Sequence, residues 1–338
     1  MRVWFAQDIF IDSGSERTVV AIDSVEVFNE VTCIAYYPGS NVVVAIGQEA
    51  QALKHSGQDS LKISWPIRAG RVAEPVSAQL FLQSLLQRAD AQIGLLGKLI
   101  GYGGRYSHPT SVSPAELHTF KKVYSVVGLG RLQATAVADA LITVAQQLNI
   151  PSPFCGCMVN MDWVEISVYS GSGVISTTEI EWGVSWLHDM IRRVILREYE
   201  CIVSERVIEQ ILQTLIDCTS VIDGQKTEAR KNIKVSVKAV DVATSTSKTL
   251  LVSQAVFHDE LQKILMPLAD GIKLFLEDLE PELLTNIHST GLRLFGRGAM
   301  VSGLDTYLSH TLDTEIVLFE KPEAVVSTGL QLLQTAKK

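Results

Sequence analysis

The chain has 338 residues, 47% hydrophobic and 20% charged, with a formal net charge of −8. Its length suggests about two domains, and its apolar share is that of a globular protein with buried cores. The negative balance excludes a general nucleic-acid binder, because affinity for phosphates needs clustered Lys and Arg.

No apolar run approaches the ~18–20 residues of a membrane span, and Met1–Phe5 is too short for a signal peptide. This start reads as a tail leading into a strand. The alternative is a short interfacial anchor, since Val3, Trp4 and Phe5 beside Arg2 suit a membrane surface. The five cysteines form no zinc pattern, and Cys155 and Cys157 are spaced as alternate positions of one strand. An odd cysteine count without a signal sequence fits a reducing cytoplasm. The histidines are scattered, with no HxxxH pair.

In chain order, Ile9–Asp12, Thr18–Ile22 and Val25–Phe28 read as three strands, with a turn at Ser13–Arg17. Asn41–Ala50 adds a strand running into a short helix. Ala73–Gln87 places Leu80, Leu82, Leu85 and Leu86 on a broad helical face. Ser113, Pro114 and Glu116 form a helix-start signature: N-cap, first turn and N3. A further helix spans Ala138–Leu148, and Asn149–Phe154 reads as a linker.

The pattern then restarts. Met158–Trp182 again runs strand, turn, strand, turn, strand. Val164, Ile166 and Val168 alternate with Glu165, Ser167 and Tyr169, which predicts a half-buried strand. Trp186, Leu187, Met190, Ile191, Val194 and Ile195 make a helical stripe. Ser204 is placed to cap a second helix that carries Val207, Ile211 and Leu215. Ala229–Ser253 is strand-like, as an inserted small subdomain would be. A long helix follows over Phe257–Leu279. Gly291–Leu312 reads as a strand, a glycine-rich turn and a helix, the order of a phosphate or adenine loop at a helix N-terminus. A repeat of this size implies two similar lobes, with a ligand expected at strand ends and helix starts.

Together these segments resemble the MreB family of bacterial actin homologues, within the actin, Hsp70 and sugar-kinase superfamily. "IDSGSERTVVAI" resembles that family's first phosphate loop, Asp-x-Gly-x-x-x-Thr. "WPIRAGRVAEP" is similar to its Pro-hydrophobic-x-x-Gly-Val-x-Ala-Asp stretch, "LRLFGRGAMVSGLDTYL" to its late glycine turn, and "PEAVVSTGL" to its C-terminal stretch. The resemblance implies an α/β, actin-like fold of two duplicated RNase H-like lobes with inserted small subdomains around a cleft. Lobe one would comprise residues 1–150 completed by 321–338, with a small subdomain over about 31–66. Lobe two would comprise 151–320, with a small subdomain over about 183–253.

The resemblance also implies ATP and Mg2+ as ligands. Asp12 would hold a magnesium-bound water, with Gly14, Ser15 and Thr18 beside the phosphates and Gly296 and Gly298 on the nucleotide's other side. The sequence departs from the family where the chemistry belongs. In the second phosphate loop, Asp-x-Gly-Gly-Gly-Thr, Asn160 falls on the Asp position and Met161–Trp163 replaces the glycines. Glycines let backbone N–H groups approach phosphate oxygens, whereas a Trp beside Asp162 presents bulk and negative charge. Asp162 itself could be a surface carboxylate or a metal or water ligand. Val137 and Ala138 stand where the family has its water-activating acid, with Asp139 the nearest carboxylate. Arg297 replaces the middle glycine of the late turn.

The expectation is therefore a cytoskeletal or scaffold protein with no catalytic residues, weak or absent ATPase activity, and ATP and Mg2+ bound weakly or not at all. Self-association would be head to tail. Partners would be the membrane surface and envelope or cell-shape proteins, with no nucleic acid, in the cytoplasm at the inner face of the membrane. Val3–Phe5 and Ile93–Gly104 are the candidate membrane segments, the latter alternatively a buried strand. A monomeric actin-fold adaptor of a division or pilus-type machine and a working actin-like ATPase are the other readings.

Overall fold

The computed structural model describes residues 7–55, 60–93, 102–171, 173–222 and 233–335. The chain divides into two compact units, one of Met1–Ile150, Gly171–Val174 and Ala324–Lys338, the other of Pro151–Ser170 and Ile175–Glu323.

The first unit is built on strands β1 (Gln7–Ser13), β2 (Arg17–Ile22) and β3 (Val25–Val31). A small sheet follows from β4 (Ile34–Tyr37), β5 (Val42–Ile46) and β6 (Lys62–Ser64), with helix α1 (Gln48–Ala52) between the last two. After the two-residue strands β7 (Ile67–Arg68) and β8 (Arg71–Val72) come α2 (Pro75–Ile93), β9 (Tyr102–His108), α3 (Pro114–Val126), β10 (Gln133–Ala136) and α4 (Val137–Gln147). The main sheet runs β10-β9-β1-β2-β3. β1 pairs antiparallel with β2 and parallel with β9, and β9 is parallel to β10. Of the candidate segment Ile93–Gly104, residues 94–101 lie outside the described residues, as does Val3–Phe5; Tyr102–Gly104 opens β9.

The second unit repeats this plan with β11 (Phe154–Val159), β12 (Val164–Ser170), β13 (Gly173–Ile180), β17 (Leu292–Phe295) and β18 (Ile316–Leu318), in the order β13-β12-β11-β17-β18. β11 is antiparallel to β12 and parallel to β17, which is parallel to β18. Between these segments lie α5 (Val184–Tyr199), β14 (Cys201–Ile202), α6 (Glu205–Leu215), the hairpin β15 (Lys234–Asp241) and β16 (Ser247–Ser253), α7 (His258–Glu277), α8 (Pro281–Thr290) and α9 (Leu304–Leu312). The two sheets share one strand order, position for position. The internal repeat in the sequence is thus a repeat of topology, and the fold is the mixed α/β, two-lobed, actin-like one.

Local chemistry sets the helix starts. Ser113 accepts from the Glu116 amide while Glu116 reaches back to the Ser113 amide, a complete capping box ahead of Pro114. Ser204 stands at the N-cap of α6, yet its side chain makes no capping hydrogen bond. The helical stripe of α5 buries Leu187, Met190, Ile191, Val194 and Ile195 in the second unit's core. Trp182 is fully buried there and donates its indole N–H to the Ile264 carbonyl at 2.8 Å, so its one polar atom is satisfied.

One expectation is corrected. β12 is buried along both faces from Val164 to Tyr169, not alternately exposed. Its polar positions are taken inside with partners: the Ser167 hydroxyl pairs with that of Thr177 at 2.6 Å. Alternation of polar and apolar residues marks a half-solvated strand only where the polar side chains have no internal partner. Cys155 and Cys157 are fully buried on β11, and burial pushes both thiols up, which leaves them inert.

The first unit is closed by the C-terminal helix α10 (Val325–Thr335). Leu330 packs with Phe10 and Ala21, and Gln334 donates to Asp8 at 2.8 Å. A Cβ at Gly329 would come within 2.3 Å of the Ala140 carbonyl oxygen, so α10 approaches α4 as closely as backbone allows. Gly329→Leu should therefore lower stability by about 1–3 kcal/mol through overpacking, read as a lower urea midpoint. Ser113→Ala should cost about 1 kcal/mol through the lost cap. An unchanged midpoint for Gly329→Leu would show that this helix contact contributes nothing.

Candidate functional site

In the first unit the candidate residues sit on the β1–β2 hairpin. The Gly14 amide donates across the turn to the Arg17 carbonyl at 2.9 Å, and a Cβ at Gly14 would meet that oxygen at 2.8 Å. Asp12, at the end of β1, accepts from the Ser107 hydroxyl of β9 at 2.6 Å. Burial pushes the Asp12 carboxyl above its ordinary 3.8, and the Ser107 bond opposes that shift. The Ser13 hydroxyl pairs with that of Tyr124 on α3 at 2.9 Å. Ser15, buried, accepts from the Gly70 amide at 3.1 Å, which ties the hairpin to the β7–β8 turn.

Thr18 is fully buried and shares a hydrogen bond with Thr32 at 2.9 Å. The Thr32 hydroxyl also donates to the Gly14 carbonyl at 2.7 Å. Of the expected phosphate-side residues, Asp12, Gly14 and Ser15 thus lie along one turn, while Thr18 is spent on holding it. The junction of β10 and α4 is apolar, with Val137 and Ala138 buried and Asp139 exposed in the first helical turn. Ala136 at the N-cap has no capping side chain; Thr110 supplies one, accepting from the Ala138 amide at 3.1 Å.

The second unit is different in kind. Its hairpin turn is closed by the Asn160 amide donating to the Trp163 carbonyl at 3.0 Å. Two of the turn's other carbonyls face the start of α5: the Val184 amide donates to Asn160 at 3.2 Å and the Ser185 amide to Met161 at 2.8 Å. Gly183 precedes that helix with an extended backbone open to any residue (φ −169°). Its need for glycine is steric, because a Cβ there would meet the Met161 carbonyl oxygen at 2.2 Å. Trp163 is buried behind the turn.

The late glycine turn is likewise packed from within. Gly296 has φ 86°, which favours glycine, and its Cβ would approach the Val159 carbonyl oxygen to 2.5 Å. A Cβ at Gly298 would come within 2.4 Å of a Val159 methyl and 3.0 Å of a Val184 methyl. Both glycines serve the approach of this turn to the end of β11. Arg297 between them is exposed; the His188 ring, whose Nε2 lies 3.5 Å from Glu209, and the charge of Arg297 hold the Glu209 carboxyl below its ordinary range.

The sequence contains no marker for several of these contacts. Nothing announced that Ser107, Tyr124 and Gly70 would reach the first hairpin, since each comes from a remote element. The tie between the second turn and α5 had one available signal, Gly183 directly ahead of a helical stripe.

A sequence model of the MreB/Mbl protein family matches residues 6–338. The chain belongs to the MreB/Mbl family. It is 23% identical over 331 residues to the cell shape-determining protein Mbl of Bacillus subtilis, covering 96% of this chain and 95% of that one. It is 21% identical over 337 residues to the cell shape-determining protein MreB of Escherichia coli K12, covering 97% and 93%. Crystal structures of MreB5 of Spiroplasma citri bound to ADP and to AMPPNP superpose with a TM-score of 0.84, at 16% and 17% identity, covering 98% of this chain and 97% of theirs. At that identity the structural likeness carries the fold.

The fit of a nucleotide can be tested half by half. In the first unit a carboxylate has one protein donor and so keeps acceptor capacity for a cation or its water. In the second unit the residues do not fit a polyphosphate, because carbonyl oxygens occupy the first amides of α5. The half-buried Asp12 gives a direct check. A carboxyl whose folded pKa is raised costs stability once ionised; the cost is absent below the unfolded pKa and grows as pH rises through the folded value. Asp12→Asn keeps an acceptor for Ser107 and removes the charge. It should melt above the parent near neutral pH, with the difference vanishing toward about pH 4. A lower Tm near neutrality would show that the ionised carboxylate stabilises the unit.

Proposed function

We propose that this protein is a filament-forming cytoskeletal element of cell-shape control whose assembly does not depend on ATP turnover. The family match along the chain supports the cytoskeletal role, in keeping with relatives named as cell shape-determining proteins. The observation that carries the rest is the Asn160–Trp163 turn, whose carbonyls consume the amides that a phosphate would need. The apolar β10–α4 junction supports the same reading, since an attacking water needs an acid or base within hydrogen-bond reach.

In this reading nucleotide binding survives in a reduced form, in keeping with the ADP and AMPPNP complexes of the Spiroplasma citri relative. Asp12 would hold a cation or its water, and Gly14 and Ser15 would lie beside it. When bound, Mg2+ supplies positive charge that screens phosphate oxygens. The two-lobe division at residue 150 and the small subdomains at 31–66 and 183–253 are part of the same proposal. Among the described residues no helix is long and apolar enough to cross a membrane. The membrane surface and envelope or cell-shape proteins are the partners in this reading.

A ligand shifts an assembly equilibrium only through its differential affinity for the two states. With the second phosphate half filled by protein, that differential is small. Purified protein should sediment as filaments in plain buffer, with little change on adding ATP and Mg2+. Phosphate release should stay at the level of a heat-killed control. Sedimentation that strictly requires ATP, or release abolished by Asp12→Ala, would favour a working ATPase. A protein monomeric at every concentration would favour the adaptor reading.

A further inference from the structure

The small sheet β14-β15-β16 of the second unit carries one surface that the reading above does not use. β15 and β16 alternate strictly: Val237, Ala239, Leu250 and Val252 are buried on the inner side, and their neighbours point outward. The outward face carries Lys234 and Lys238 from β15, and Leu251 from β16 at 61% exposure. At its other end Val240 stands beside its cross-strand neighbour Ile202, 57% exposed. No carboxylate occupies an outward position of these strands. The face is therefore positive and apolar in a chain whose net charge is −8.

The geometry of the edge adds direction. β16 has β15 on one side and no strand on the other among the described residues, so one row of its backbone groups is open to pairing. A strand added there would lie about 4.8 Å from β16 and about twice that from β15. On β16 the outward neighbour of Lys238 is the short Thr249, and that of Lys234 is Ser253. The long lysine stems can cross these small side chains to reach the added strand. Leu251, opposite Ser236, offers the apolar contact between the two cations.

We propose that β16 is a docking edge for an extended segment of a partner protein whose outward face carries, at every second residue, a carboxylate, an apolar side chain and a carboxylate. Backbone pairing along β16 supplies affinity, as in other strand-addition complexes, and alternate side chains supply specificity. Carboxylates would meet Lys234 and Lys238, and an apolar side chain would lie against Leu251. The mixed chemistry selects this occupant. A purely acidic segment leaves Leu251 and Ile202 wet, and a purely apolar one leaves two cations unpaired.

The test is a selection of random 12-residue peptides displayed on phage against the full-length protein, with the double variant Lys238→Glu, Leu251→Asp as the counter-target. Circular dichroism and melting of the variant, equal to those of the parent, establish that these outward substitutions leave the fold intact; Thr249→Glu, which sets a carboxylate beside Lys238, takes its place as the weakened variant if they differ. Enriched peptides should carry an acidic, an apolar and an acidic residue at every second position, acid-x-apolar-x-acid. A synthetic peptide made from their consensus should slow amide exchange in β16 and bind at least tenfold more weakly to the variant. Failure to enrich peptides, enrichment of basic or unpatterned ones, or unchanged affinity for the variant would overturn the proposal. So would protection of β16 by self-association or by anionic vesicles alone in the parent protein. None of these outcomes depends on whether ATP is hydrolysed.

Discussion

A helix begins with amide groups that have no partner inside the helix, and at Val184 and Ser185 those groups are answered by the carbonyls of Asn160 and Met161. That exchange fixes three things in the second unit together. It locks the β11–β12 turn in one place, it sets the start of α5, and it removes the positive end of the helix from service as an anion site. Gly183 exists to let the two backbones meet, and Gly296 and Gly298 allow the late turn to press on Val159 from another side. The β11–β12 turn, the start of α5 and the late glycine turn form one packed junction.

The first unit keeps a polar interior at the corresponding place. Asp12, Ser13, Ser15 and Thr18 each have a hydrogen-bond partner, and the partners come from β9, α3, the β7–β8 turn and Thr32. Such a network specifies a single turn conformation, because leaving one member unpaired in a buried setting costs more than the pair contributes. Within it burial pushes the Asp12 carboxyl above its ordinary range, against the Ser107 hydrogen bond. A carboxyl held in such a setting is the kind of local inconsistency that coincides with functional sites.

Much of this was legible in the sequence. The strand–turn–strand units, the capping box at Ser113 and the stripe of α5 were readable because each is a local pattern with a single physical cause. The absence of glycines from Met161–Trp163 was also readable. The hydrogen bonds of that turn to the start of α5 were not, because they needed the position of α5 relative to the turn. β12 was misread because alternation reports polarity, and Ser167 satisfies its polarity inside through Thr177. The surviving "DSG" and "GRG" looked alike as glycine turns. In space the first encloses a half-buried carboxylate and the second is a packing contact, a difference that no local window contains.

The C-terminal helix has a consequence for how the molecule comes into being. Strand β1 begins at Gln7, yet the helix that packs Leu330 against Phe10 and Ala21 is made only after the whole of the second unit. Domains tend to fold as units while a chain is synthesised, the earlier ones first. Here the order is inverted: the second unit, ending at Glu323, has all its residues before the first unit has its final helix. During that interval β1 and β2 lack the helix that covers Phe10 and Ala21, and the growing chain carries a sheet that a much later segment completes.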